Sequence, residues 1–247
     1  MVQTLLVRGM LVGLVAGLLA FAFARTFGEP VVDTAIAFET AMHVAEANAA
    51  AAAGQPAPPP EVELVSRPVQ ASIGLFTGVV VYSAAFGGLF ALIFAFTWGR
   101  VGRFSPRALA AIIALIGYAA VVVVPALKYP ANPPSVGQPD TIAYRTWLFL
   151  AMLLVSILAA TAATFLRGRL VRRLGGWNAT LAAAAAFIVV VAIGMLILPG
   201  INDVPVGFPA ATLWQFRLAS LGTQGILWAT LGLLFGALTQ RSLADLT

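Results

Sequence analysis

Three side chains that could bind a metal ion recur at helical spacing in one segment of the sequence. On a helix that advances about 100° per residue, Glu39, His43 and Glu46 fall within roughly 60° of arc and face the same way. His43 is the single histidine of the chain. Two carboxylates and one imidazole suit a divalent cation such as Co²⁺, Ni²⁺ or Zn²⁺. The alternative is the solvated polar face of an exposed helix.

Two Pro-rich loops hold further oxygen ligands. Asn132 and Asp140 lie in the first loop, and Asn202 and Asp203 lie in the second. Asn and Asp beside prolines and glycines are also common turn formers, which is the simpler explanation for each residue taken alone. These four residues are therefore candidates for a metal site and equally candidates for loop structure.

Six long apolar stretches surround these segments and define the class of protein. Each approaches or exceeds the ~20 residues needed to cross about 30 Å of hydrocarbon. The stretches are 5–24, 73–96, 108–127, 146–166, 179–198 and 218–238. With 61% hydrophobic and 9% charged residues, the chain lies outside the range of soluble domains. The sequence predicts an all-α polytopic membrane protein with six transmembrane helices, forming a single integral membrane domain over residues 1–247.

The charged residues are sorted onto opposite sides of these stretches. Arginines crowd one set of connections, whereas the other set receives eight of the nine acidic residues: Glu29, Asp33, Glu39, Glu46, Glu61, Glu63, Asp140 and Asp203. Loops rich in Arg and Lys stay in the cytoplasm, so we expect both termini to be cytoplasmic and the acidic loops external. The net charge of +5 then indicates contact with a lipid bilayer and not with nucleic acid.

The longest external connection, residues 25–71, is predicted to contain its own helix. The Glu29–Pro30 pair is a helix start, with Pro at the first helical position. The helix should continue to about Ala53 and end at Gly54, where a Pro-rich linker over residues 54–60 begins. Alternatively, the first apolar stretch is a cleaved signal peptide, with small residues at Ala22 and Ala24 before the cleavage site.

The second, fourth and sixth apolar stretches each begin just after an external arginine, at intervals of roughly 75 residues. This regular spacing indicates three repeated helical hairpins. The arginines are Arg67, Arg145 and Arg217, and we expect them to anchor the span starts or to pair with Glu29, Asp140 and Asp203. Any six-span protein also divides into three hairpins, so the repeat remains a hypothesis.

Small residues at a spacing of four predict close helix packing in lipid: Gly9, Gly13 and Gly17, then Gly74 and Gly78, then Gly232 and Gly236.

Several kinds of chemistry are excluded by composition. The chain has no cysteine, so it contains no disulfide or thiolate ligand. Its single lysine, Lys128, lies outside any Gly-Lys-Ser/Thr motif, which excludes a P-loop ATPase. The central halves of the spans carry no acidic residue, lysine or histidine, which argues against a proton relay through a carboxylate in the membrane. With no hydrolase or nucleotide motif either, we expect neither an enzyme nor a permanently bound cofactor.

The loop sequences resemble the CbtA family, described as probable cobalt transporter subunits. The resemblance is carried by the Glu39 and His43 helix and by segments 23–30, 125–134, 144–146, 198–205 and 213–220. The most specific of them is Tyr-Pro-Ala-Asn-Pro-Pro at 129–134. Together these segments run from the first span to the last. An Ala- and Pro-rich extension after Glu46 carries no further histidine, unlike a multi-histidine capture loop.

The resemblance implies cobalt uptake linked to cobalamin biosynthesis at the bacterial inner (cell) membrane. It implies a small single-span partner, CbtB, with histidines near one end. The residues that it carries over are Glu39, His43, Asn132, Asn202 and Asp203. Co²⁺ is then a substrate, captured outside and conducted inward. The competing hypothesis is a non-transporting membrane scaffold or assembly subunit whose partner handles the metal.

Overall fold

The computed structural model describes residues 2–56 and 64–244, which are mostly helical. Five helices are long and apolar enough to cross a membrane: α1 (Val2–Ala52), α2 (Arg67–Thr97), α3 (Pro106–Lys128), α4 (Ile142–Ile197) and α5 (Ala210–Ser242). A 3₁₀ turn, Pro139–Thr141, precedes α4. No strand occurs in these residues, so the predicted all-α class is confirmed. The predicted linker 54–60 lies mostly outside the described residues.

Helix α4 contains two of the predicted apolar stretches because it doubles back on itself. Its 56 residues are interrupted at Gly175, which has φ 72° and ψ 170°. The Arg167 Nε donates a hydrogen bond to the Thr180 hydroxyl at 2.9 Å, and a Cβ added at Gly194 would lie 2.9 Å from Val155 Cγ1. The two halves, α4a (142–174) and α4b (176–197), therefore lie antiparallel, side by side.

The predicted external helix is not separate from the first span, because α1 runs through both. Pro30 has no N–H to donate within a helix, and its ring crowds the preceding turn. The π-helical segment Ala24–Gly28 widens the helix just before this proline. The Glu29 N–H then bonds to the Ala24 carbonyl, five residues back. The proline is thus absorbed within one continuous helix, whereas the sequence pattern predicted a helix start there.

The glycine stripe of α1 brings its backbone into contact with α2. A Cβ added at Gly9 would lie 2.3 Å from the carbonyl oxygen of Gly87, and one at Gly13 would lie 2.3 Å from that of Ser83. Neither site can hold a larger residue without separating the helices, so the packing prediction is confirmed here. It is wrong for Gly78, where an added Cβ would meet nothing within 4 Å.

Helices α1, α2, α3 and α5 form the core, which is filled by aromatic side chains. Phe235 of α5 packs edge-to-face on Phe90 and Phe94 of α2, with ring centroids 5.5 and 5.2 Å apart. Trp228 lies over Gly117 of α3, where an added Cβ would fall 2.1 Å from the indole ring. The α4 hairpin packs instead on the second half of α3, through a smaller apolar cluster.

The two ends of the bundle differ in charge. At one end, Arg8 donates hydrogen bonds to Thr239 and Ser242, joining the start of α1 to the end of α5. The guanidinium of Arg167 lies 5.8 Å from the Phe104 ring centroid, so the loops before α3 and at the α4 turn share that end. The acidic second half of α1 and the loops on either side of α4 lie at the other end. The sorting of charge predicted from the sequence is therefore a property of the fold.

Candidate metal-binding end of the bundle

The second half of α1 presents the predicted ligand stripe. The segment is helical from Glu29 to Ala52, and Gly54, with φ 70°, follows its end. Glu39 is half-buried, whereas His43 and Glu46 are exposed. Among the described residues, no three His, Cys, Asp or Glu side chains lie close enough to hold one metal ion. The helical spacing behind the hypothesis is confirmed, and its use as a metal site stays a prediction.

Two other carboxylates on the same helix are engaged by an arginine. Arg67, at the start of α2, contacts the carboxylate of Glu29 through Nη2. The same guanidinium reaches Asp33 Oδ1 from Nε at 3.0 Å and from Nη2 at 2.9 Å. Glu29 is only 7% exposed, so this ion pair is largely withdrawn from water. The predicted pairing of Arg67 with Glu29 is confirmed, and Asp33 is its additional partner.

Asp203 in the loop after α4 is engaged by the beginning of α4. Its Oδ2 lies 3.5 Å from Arg145 Nε and accepts a 2.8 Å hydrogen bond from the Thr141 hydroxyl. A Cβ at Gly137, where φ is 120°, would fall 1.9 Å from the same guanidinium, so only glycine leaves room for it. Asp140, the partner expected from sequence, is exposed and joins none of the described ion pairs. Arg145 therefore reaches across to the other loop.

Asn132 in the loop before α4 is engaged by α5. Its Oδ1 accepts a 3.0 Å hydrogen bond from Arg217 Nη2. The neighbouring Tyr129 hydroxyl donates to the Pro199 carbonyl at 2.7 Å, joining the same two loops. Partial burial, and secondarily Tyr144, raise the pKa of Tyr129. Each of the two loops therefore holds an arginine near the start of the helix that follows the other loop.

The helical extension of α1 sits on both loops. Ala35 is fully buried with Val136 and Phe208, one from each loop. The rings of Phe38 and Phe208 pack edge-to-face with centroids 5.1 Å apart. Ser135 donates a 3.0 Å hydrogen bond from its hydroxyl to the Ala35 carbonyl. The three acidic segments thus form one cap, and Glu39 follows directly on the helical turn that contacts the loops.

The candidate residues divide into two groups by what they touch. Asn132 and Asp203 hold arginines, and their oxygens already serve the loop structure. Asp140 and Asn202 are exposed on the loops, as are His43 and Glu46 on α1. Sequence reasoning did not identify which loop holds which arginine, because these partners lie far apart in the chain. The one local indication in the sequence was Gly137, because a glycine has no side chain to clash with the Arg145 guanidinium.

Comparison with known proteins adds one match. A sequence model of the family described as probable cobalt transporter subunit (CbtA) matches residues 2–240. No curated protein and no solved structure matches the chain. The match extends over all five helices, so it includes both the arginine end and the acidic cap.

Proposed function

Because this chain belongs to the CbtA family of probable cobalt transporter subunits, we propose that it captures Co²⁺ at its acidic end and conducts it inward. It acts as the membrane subunit of a cobalt uptake system, with a small single-span CbtB-like partner. The family match over residues 2–240 is the observation that carries this proposal. The word subunit in the family description fits a partner, and the exposed acidic cap fits a cationic substrate.

The topology follows from the hairpin in α4. In the proposed topology the chain crosses the membrane six times, because α4 doubles back at Gly175 and counts twice among the five helices. An even number of crossings puts both termini on one side. We assign that side, which carries the arginines, to the cytoplasm of a cell with this chain in its inner membrane, because loops rich in Arg stay in the cytoplasm. The acidic cap then faces outward, where a metal ion arrives.

The capture site is proposed on the exposed stripe of α1. The guanidinium of Arg67 neutralises much of the charge of Glu29 and Asp33, so these carboxylates attract a cation weakly. Glu39 and Glu46 join none of the described ion pairs, and each lies about one helical turn from His43. Asp140 and Asn202 add exposed oxygens at the loops. A nitrogen and oxygen set of this kind suits Co²⁺.

The membrane potential is the simplest drive for this transport. The sequence has no P-loop lysine and no carboxylate in the central halves of its spans. A dication that moves inward gains about 4.6 kcal/mol per 100 mV, at ~2.3 kcal/mol per charge. This free energy supports concentration by roughly three orders of magnitude. Dissipating the potential should abolish accumulation of labelled cobalt, and unchanged accumulation would contradict the proposed drive.

The second candidate is a membrane scaffold whose partner handles the metal. One observation favours it: no three potential ligands converge among the residues that the structure describes. The glycine stripe of α1, which could have docked a partner helix, is already occupied by α2. The scaffold hypothesis therefore depends on other surfaces of the bundle, and the two candidates differ in what His43 does.

Uptake of ⁵⁷Co²⁺ separates the two candidates. Cells expressing the chain, with and without the short partner, are compared for wild type, His43→Ala and Asn48→Ala. Asn48 is an exposed polar residue on the same helix, about 180° from Glu39, and serves as the matched control. Capture at α1 predicts uptake that needs this chain, falls with His43→Ala and is unchanged by Asn48→Ala. Uptake that needs the partner and ignores both substitutions would assign the metal chemistry to the partner.

A further inference from the structure

An apolar groove lies between the two halves of the α4 hairpin. It has a volume of about 420 Å³, and its floor is formed by small residues, including Ala159, Ala163 and Ala186. Phe165 and Phe187 form part of its walls. The two halves are held together by Gly194 against Val155 and by the hydrogen bond from Arg167 to Thr180. Between those contacts, alanine side chains are too short to fill the space.

The length of the groove along α4a matches the thickness of one leaflet of a bilayer. Its lining runs from Ala159 to Arg169, a rise of ~15 Å at ~1.5 Å per residue. This is half of the about 30 Å of hydrocarbon in a membrane. Arg169 is at the arginine end of the bundle, so the groove opens into the leaflet on that side. An apolar groove of this length accepts the acyl chain of a lipid from that leaflet.

The mouth of the groove carries unneutralised positive charge. Arg169, Arg172 and Arg173 are exposed and lie on one face of α4a, at spacings of three and four residues. Their guanidiniums have no ion-pair partner within residues 2–56 and 64–244. Arginine binds phosphate through parallel N–H donors, which gives both charge and geometry. The mouth therefore complements an anionic headgroup.

We propose that this groove is a binding site for one anionic phospholipid of the arginine-side leaflet. An acyl chain lies along the alanine floor, and the phosphate is bound by Arg169 with Arg172 and Arg173 beside it. Phospholipids of the same leaflet with a zwitterionic headgroup fill the groove less tightly, because they bring no net charge to the mouth. The site lies on the hairpin remote from the acidic cap and is independent of cobalt transport.

The headgroup half of the proposal is tested with the purified full-length chain in detergent. Retention of phosphatidylglycerol is compared with that of phosphatidylcholine by native mass spectrometry, for wild type, Arg169→Gln and Arg103→Gln. Arg103 is an exposed arginine of the same end that does not line the groove, so it controls for net charge. We expect one retained phosphatidylglycerol, weakened roughly five- to tenfold by Arg169→Gln and unchanged by Arg103→Gln. Equal retention of both lipids, or equal effects of both substitutions, would overturn the site.

The acyl half is tested by filling the groove. Ala162 lines it and is exposed, so Ala162→Phe occupies the space without disturbing the core. Val189→Phe adds comparable apolar bulk to the exposed surface of α4b outside the groove. The proposal predicts loss of the retained phosphatidylglycerol in the first variant and wild-type retention in the second. A groove that retains no phosphatidylglycerol and binds a co-expressed single-span partner would overturn the proposal by making the groove a protein-docking site.

Discussion

At the scale of single residues, the carboxylates of α1 fall into two classes according to their surroundings. Glu29 is buried against Arg67 and helps to fasten α2 to α1. Glu39, less than three helical turns further on, is half-buried and joins none of the described ion pairs. The same residue type on the same helix is thus paired with an arginine at one position and outside every described ion pair at the other.

These two glutamates should respond differently to neutralisation. Glu29→Gln leaves Arg67 with Asp33 alone, and we expect about 2 kcal/mol of lost stability, since a buried charge loses one of its partners. Glu39→Gln should leave stability unchanged and lower the affinity for Co²⁺ at least ~10-fold. Removing a group that only supports a metal ligand already lowers metal affinity by about this factor, and removing a ligand itself should lower it at least as much. Thermal unfolding in detergent and ⁵⁷Co²⁺ binding measure the two effects. Equal loss of stability in both variants would contradict the division.

At the scale of elements, backbone contact between α1 and α2 determines how closely the core can pack. Lipid offers no hydrophobic driving force between helices, so close van der Waals contact at small residues has to supply the association. The carbonyls of Ser83 and Gly87 lie where a side chain on the α1 stripe would extend. Helix packing here is therefore sensitive to single methyl groups.

A pair of glycine substitutions isolates this contact. Gly13→Leu should separate α1 from α2 and cost about 3 kcal/mol or more, because an added Cβ would already lie 2.3 Å from the Ser83 carbonyl oxygen. Gly78→Leu adds the same side chain where nothing lies within 4 Å, and it should be tolerated. The yield of monodisperse protein and its melting temperature report both effects. Wild-type behaviour of Gly13→Leu would refute the contact.

The turn of α4 gives a second comparison between neighbouring residues. Gly175 has φ 72° and ψ 170°, a conformation that is strained for any other residue, so Gly175→Ala should cost about 2 kcal/mol. Gly176 begins the second half with open space around it, and Gly176→Ala should be neutral or stabilise by up to ~1 kcal/mol. The melting temperatures test both expectations: that of Gly175→Ala should fall below wild type, and that of Gly176→Ala should not. A Gly175→Ala protein as stable as Gly176→Ala would show that the turn does not need glycine.

At the scale of the whole molecule, charge and helix count together define an orientation. The arginine end joins the start of α1, the end of α5 and the turn of α4, while the acidic cap joins the three segments at the other end. With the arginines in the cytoplasm, as proposed, the acidic cap faces outward. The molecule is therefore polar along its axis.

The natural absence of cysteine makes this orientation directly measurable. Single cysteines at Asn48 and Asn202 should react with a membrane-impermeant maleimide added to intact cells. Cysteines at Arg103 and Arg173 should react only after the membrane is opened. Labelling of Arg173→Cys from outside would contradict the doubling-back of α4, and labelling of Arg103→Cys from outside would reverse the orientation.

The sequence by itself determined the apolar stretches, the separation of charge and the helical phase of Glu39, His43 and Glu46. Each of these depends on residues close together in the chain: hydrocarbon acts on one segment at a time, and a helical stripe needs only a spacing of three or four. For the same reason the α1 glycine contact was predictable from spacing. The continuous path through Pro30 was not, because a proline after Glu29 matches the usual start of a helix, whereas here a π turn carries α1 through it.

Only the tertiary structure decided which groups meet across the bundle. Arg145 forms its ion pair with Asp203 and not with Asp140, and Arg217 bonds to Asn132, so each arginine joins segments far apart in the chain. The groove in α4 likewise exists only because two halves of one helix lie side by side with small residues between them. Such contacts depend on the rotation and offset of whole helices, which no local pattern of residues encodes.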